Sequence, residues 1–195
     1  MLSPVSRLHS LPTVEHRTTE QLTAGLDEIL DSPVAQGTVE LIVRRLAEDE
    51  REVLGEGALD LDEGLVGDMW RRRGSSRRPD GSANPDAQLT VMNVRAAKLM
   101  AGARDRWPLA GDQLYVDLDL GVENLPAGTR LSVGEAVIEV TAEPHTGCAK
   151  FSARFGTAAL KFVNKSPGRE LRLRGVNTRV VTPGAVRVGD AITKL

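Results

Sequence analysis

The sequence predicts a mainly β fold, a small barrel or sandwich carrying a few helices. Three observations point there. Short β-branched or alternating runs, bounded by Gly, Pro, Asn and Asp, recur at roughly 8–12-residue spacing. Strict strand–helix alternation is missing, as is any GxGxxG turn after a strand, which disfavours a doubly wound dinucleotide-binding sheet. Of 195 residues, 41% are apolar but only 3% aromatic, so Leu, Val, Ile and Ala must fill the interior. At about 150 residues per domain the length suits one domain with an added segment. An N-terminal tail and helix are expected at 1–37 and the barrel domain at 38–195.

The elements follow in order. Residues 1–17, with Pro4 and Pro12 and no periodicity, read as a tail. Thr18-Thr19-Glu20-Gln21 marks a hydroxyl-capped helix start, and Leu22, Leu26, Ile29 and Leu30 recur at helical spacing up to Pro33. Strands are expected at TVELIVRR (38–45), LTVMNV (89–94) and DQLYVDLDLG (112–121). In the last, Leu114, Val116, Leu118 and Leu120 share one face, opposite Tyr115, Asp117 and Asp119. TRLSVG and AVIEVTAE, joined at Gly134-Glu135, form a hairpin pattern, and LRLRG, TRVVT, AVRVGD and AITKL close the chain as short strands. Helical patterns are few: VRAAKLMAG (94–102), ending on Gly102, and FGTAALKFVN (155–164).

Charge is unevenly placed. From His145 onward ten Lys/Arg face two acids, Glu170 and Asp190, a net +8 that leaves −10 for the residues before it. Such separation suits either a surface that meets a small anion or simple pairing of the basic end with the acidic front half. A pI of about 6.0 and few aromatics argue against nucleic acid as the partner. The Arg-rich stretch MWRRRGSSRRPDGSANPD (69–86) reads as an exposed loop, either a lid or, preferably, a solvated excursion. One cysteine excludes disulfide frameworks and Cys-rich zinc sites, and the three histidines show no HExxH spacing. No apolar run nears the ~18 residues of a membrane span, and the first sixteen residues lack the apolar stretch of a secretory signal, so a cytoplasmic protein is expected.

The chemistry converges on EVTAEPHTGCAKFSARFG (139–156). There the lone Cys148 follows a strand exit at Pro144, with Gly147 before it and Lys150 and Arg154 after it. Neighbouring cations favour the thiolate, which is both nucleophile and metal ligand. His145 either activates this thiol or, as the preferred reading, is a loop histidine facing solvent. In GLVGD (64–68), Asp68 reads as a turn residue capping backbone amides, and Glu123-Asn124 also reads as a turn.

These residues resemble a known family. EVTAEPHTGCAKFSARFG followed by ELRLRGVNTRVVTPGAVRVGD (170–190), with GLVGD and LDLGVENLPAG (118–128) ahead of them, is similar to the MOSC domain, the C-terminal domain of molybdenum cofactor sulfurase, in its stand-alone bacterial form. The resemblance spans about residues 38–194. It implies a mixed β-barrel of the pyruvate-kinase β-barrel type. It also implies a role for Cys148 in ligating the molybdenum of a pterin cofactor or in carrying sulfur as a persulfide. Arg174, with Lys150 and Arg154, would meet the anionic cofactor, and Asn177, His145 and Asp68 would line its pocket. The implied partner is an electron-transfer protein or a desulfurase. The chain lacks an aminotransferase-like domain, so no pyridoxal phosphate chemistry is expected of it. The barrel extension of amidoxime-reducing relatives is also absent, and His-Thr-Gly between Pro144 and Cys148 departs from the family's usual linker. The residues leave three readings open: molybdenum enzyme, sulfur carrier, or non-enzymatic anion-binding module with an inert cysteine.

Overall fold

The N-terminal helical pattern becomes two short helices. In the computed structural model, which describes residues 15–195, Thr18 caps α1 (Thr19–Ala24) reciprocally. Its hydroxyl accepts from Gln21 N, and the Gln21 side chain accepts from Thr18 N. Gly25 interrupts the rod before α2 (Leu26–Leu30), and the Leu99 side chain occupies the space a Cβ would need there. Of the expected tail, residues 1–14 lie outside the described residues.

The strands are β1 (Gln36–Ala47), β2 (Glu50–Leu54), β3 (Glu56–Asp60), β4 (Gly64–Leu65), β5 (Leu89–Asn93), β6 (Leu114–Asp117), β7 (Arg130–Val133), β8 (Ala136–Val140), β9 (Val176–Thr182), β10 (Gly184–Arg187) and β11 (Ala191–Lys194). Helices α3 (Trp70–Arg73), α4 (Val94–Ala101) and α5 (Ala149–Asn164) lie between them. Seven strands close a mixed barrel in the order β1–β11–β7–β8–β9–β5–β6 and back to β1. The β5–β6 pair is parallel and is connected through α4. Strand β2 extends β1 outside the ring, and β10, β3 and β4 form a small separate sheet.

Alternation along the strands feeds two cores. Val39, Ile42, Val91, Leu114, Val116, Leu118 and Leu120 point into the barrel. Their neighbours Leu41, Val43, Met92 and Tyr115 pack outside it against Leu22, Met100, Phe151 and Phe155 of the helices. The face of Tyr115 is therefore covered: the ring is wholly buried and its hydroxyl donates to Trp107 O at 2.8 Å. Two-sided burial explains why the middle of β1, Leu41-Ile42-Val43, is continuously apolar rather than alternating. No helix among the described residues is long and apolar enough to cross a membrane.

Several local expectations hold. Gly134, at φ 55°, makes the β7–β8 hairpin with Val133 opposite Ala136. Gly102 ends α4, and Asn93 caps it through Arg95 N and Ala96 N. Asn124 donates to Val34 O and Asp119 O, as a turn residue does. LRLRG, by contrast, is not a strand. Leu171 N, Leu173 N and Gly175 N bond Pro167 O, Gly168 O and Arg172 O, so consecutive local turns consume the groups a sheet would need. Helix α5 starts at Ala149, earlier than expected, and kinks at Gly156 (φ 90°).

Closure of the barrel brings β1 against β6 so tightly that a Cβ on Gly37 would overlap the Asp117 carbonyl. Gly37→Ala is expected to cost about 1–3 kcal/mol, read from the urea midpoint. An unchanged midpoint would mean that the two strands can separate freely.

Candidate functional site

The strand β8 runs out through residues 141–147 to Cys148, which stands as the N-cap residue of α5. Facing this exit are the far end of β1 with Arg45, the β1–β2 turn with Glu48 and Asp49, Arg51 of β2 and Arg73 of α3. Arg174 and Asn177, just before and within β9, complete the wall. Together they line a cavity of about 600 Å³, within the range of cofactor sites. The Cys148 residue is exposed and free. The Arg-rich stretch supplies a wall: Arg73 to Arg77 line the cavity, and Arg77 pairs with Glu143 on the opposite side.

Two buried ion pairs support the floor. Asp68 Oδ1 lies 2.7 Å from Arg45 Nη2, and Asp68 Oδ2 accepts from Arg45 Nε at 2.9 Å and from Arg45 N at 2.8 Å. Burial alone would raise this carboxyl, but the hydrogen bonds and charge of Arg45 hold it below the usual carboxylate range. Arg174 Nη1 meets Asp112 Oδ2 at 2.6 Å, its Nη2 donates to Ala110 O, and the guanidinium stacks 5.1 Å from the Phe151 ring centroid.

His145 does not face solvent as expected. Its side chain is only 13% exposed, with Nδ1 3.5 Å from Asp112 Oδ1. Desolvation, reinforced by the positive charge of Arg174, pushes its pKa down to about 3 against the partial help of Asp112. The imidazole is thus neutral at physiological pH and brings no charge to the thiol. Asp112 Oδ1, His145 Nδ1 and Arg174 Nε are buried without a hydrogen-bond partner among the described residues.

The cations expected beside the thiol are engaged. Lys150 pairs with Glu48, and Arg154 with Asp49, while Arg154 Nη1 donates to Leu109 O at 2.8 Å. Arg179 and Arg187 likewise pair with acids of the front half, Asp86 and Glu56 among them. Much of the basic C-terminal half is thus balanced by the acidic front half. The cavity's less compensated positive charge lies elsewhere. Arg51 Nη1 bonds only the carbonyls of Ala47 and Glu50. Desolvation and the charges of Arg154 and Arg45 lower the proton affinity of Arg51, and desolvation and Arg45 lower that of Arg73. Guanidiniums crowded in this way favour an anion.

A family model described as the MOSC domain matches residues 82–193. The chain belongs to the MOSC domain family. Among solved structures, the MOSC protein described here is similar to the YuaD protein from Bacillus subtilis, at 18% identity and a TM-score of 0.57 over 80% of this chain and 94% of that one. YiiM from Escherichia coli matches at 19% identity and a TM-score of 0.52, over 81% and 69% of the two chains. YiiM from Geobacillus stearothermophilus matches at 13% and 0.50, over 84% and 74%. At these identities the likeness is one of fold. A search of curated proteins finds no significant match.

Of the residues singled out from the sequence, Cys148, His145, Lys150, Arg154, Arg174 and Asn177 line one cavity of this MOSC domain. Asn177 Nδ2 donates to Glu143 O at 3.1 Å, fastening the loop that leads to Cys148. Asp68 does not reach the cavity. Its side chain is fully buried beneath it, capping Trp70 N at 2.8 Å and holding Arg45. Sequence reasoning missed Arg51, Asp112 and the role of Arg45. Arg51 sits in an acid-rich run and Asp112 precedes a strand, so neither carries a local signal. Arg73 was visible only as one member of an Arg-rich loop.

Proposed function

We propose that this MOSC protein binds an anionic molybdenum–pterin cofactor in the 600 Å³ cavity, with Cys148 as the thiolate ligand to the metal. The observation that carries the reading is the meeting, in one cavity, of an exposed thiol and guanidiniums, those of Arg51 and Arg73, that lack carboxylate partners among the described residues. The donor set fits the group: thiolate is a soft ligand suited to such a metal, and arginine forks suit a phosphate. Arg51 and Arg73 would receive the phosphate. Arg45, anchored from below by Asp68, and Arg174, anchored by Asp112, would keep their guanidiniums in place without reorganisation. Bound there, the cofactor would supply oxygen-atom transfer or reduction, with electrons from a protein partner. Cys148 makes no side-chain capping bond to α5, so its sulfur stays available.

The test is metal and pterin stoichiometry on protein from a molybdate-fed host. Cys148→Ala is expected to lose molybdenum by about tenfold or more while the fold persists. Wild-type molybdenum and pterin content in Cys148→Ala would overturn the reading.

The exposure of Cys148 also favours a second reading, a sulfur carrier. The thiolate would attack the terminal sulfur of a desulfurase persulfide; the donor's S–S bond breaks, its thiolate leaves, and Cys148 becomes the persulfide. Mass spectrometry after incubation with an active desulfurase and cysteine should then show one added sulfur on Cys148.

A further inference from the structure

Behind the wall formed by residues 143–146 lies a second cavity of about 200 Å³, between the exit of β8 and the turns that precede β9. Glu143, His145, Arg174 and Asn177 line both cavities, so one loop divides them. The far side of the smaller one carries Arg169 and Arg172. We propose that this second cavity binds a small inorganic oxyanion of the sulfate or phosphate type, gripped by Arg172 and Arg169. The proposal is independent of the cofactor reading.

Arg172 carries the argument. The residue is half-buried. Its Nη1 donates to Leu125 O at 2.6 Å and Leu120 O at 3.5 Å, while Nε and Nη2 have no partner among the described residues. No carboxylate among the described residues offsets its burial, and desolvation lowers its hold on the proton. A desolvated guanidinium without a counter-ion is costly. The fully buried guanidiniums of Arg45 and Arg174 have Asp68 and Asp112, and the half-buried Arg51, which shares this lack of a carboxylate among the described residues, lies in the larger cavity. The acid that lines this cavity, Glu143, is committed to Arg77 in the larger one. Arg172 is also held at φ 48°, a left-handed conformation rare for a residue with a side chain, inside turns closed by local backbone bonds. Its place is therefore set before any ligand arrives. Arg169, three residues earlier in the same turns, is exposed, and the Thr146 hydroxyl is a third donor at the wall. The volume is ample for a tetrahedral oxyanion with some of its hydration water, and forked guanidiniums match its geometry.

The experiment is a sodium sulfate titration of the full chain at constant ionic strength, followed by NMR of the arginine Nε–Hε resonances. The Arg172 resonance is expected to move saturably. Arg172→Gln, whose amide can still bond Leu125 O, is expected to weaken sulfate at this site by about tenfold or more. Arg169→Gln, an exposed substitution that leaves the core alone, should weaken it by about threefold. Arg51→Gln, in the larger cavity, should leave the Arg172 response unchanged. A linear, non-saturating shift overturns the proposal, as does wild-type affinity in Arg172→Gln. Should that variant not fold, wild-type affinity in Arg169→Gln overturns it equally.

Discussion

Asp68→Ala is expected to destabilise the chain by about 3–5 kcal/mol, because it strands a buried charge rather than merely deleting a contact. Arg45 is 5% exposed and sends its Nε, Nη2 and backbone N–H to this one carboxylate; Nη1 reaches Gly111 O at 3.2 Å. Without Asp68 the guanidinium keeps a single carbonyl partner and cannot shed its proton. The loss should appear as a lower urea midpoint at unchanged m. Arg45→Met combined with Asp68→Ala should recover much of it, since no charge then remains buried. A single-variant loss under about 1 kcal/mol would place water or another anion beside Arg45. Acid adds a check of sign. The folded carboxyl lies below its ordinary value of 3.8, so its contribution is present above that pH and is lost as pH falls through the lower folded value. Asp68→Ala should lack that loss.

The second large effect is acid sensitivity at higher pH, from His145. Its pKa is about 3 in the folded protein against an ordinary 6.5. The unfolded chain therefore binds a proton that the folded one refuses. Stability from this group is complete above pH 6.5 and declines steadily toward pH 3, by up to about 5 kcal/mol. His145→Gln, which keeps a polar group near Asp112, should flatten the urea midpoint between pH 6 and pH 4. Equal slopes in wild type and variant would mean that the imidazole gains its proton inside the fold without cost. The same neutrality bears on function: at physiological pH the potential around Cys148 comes from arginines, not from His145.

Where a structural decision is local, the sequence announces it. The Thr18 cap, the Gly134 hairpin and the Gly102 helix end each depend on groups within a few residues, and each appears where the pattern placed it. Local pattern misleads where a two-residue period has another cause. LRLRG alternates like a strand, yet Leu173 is buried while Arg172 turns left-handed to reach carbonyls some fifty residues away. Alternation in DQLYVDLDLG (112–121) placed Leu114, Val116, Leu118 and Leu120 on one face, but could not say that the strand ends at Asp117 or that helices cover Tyr115 on the other face. The site divides in the same way. Pro144, Gly147 and Cys148 at a strand exit are a contiguous signal. Arg45, Arg51, Asp112 and Arg174 meet only when the barrel closes.

By itself the sequence determined a barrel of short strands filled by aliphatic side chains, a family, and one cysteine at a strand's end. Periodicity and turn chemistry are written along the chain. Only the tertiary structure decided which cations remain available to a ligand. Lys150 and Arg154, beside the cysteine in sequence, are paired with Glu48 and Asp49, while among the described residues Arg51 and Arg172 bond only backbone carbonyls. Charge pairing depends on distance through space, and the folded chain brings together groups more than a hundred residues apart.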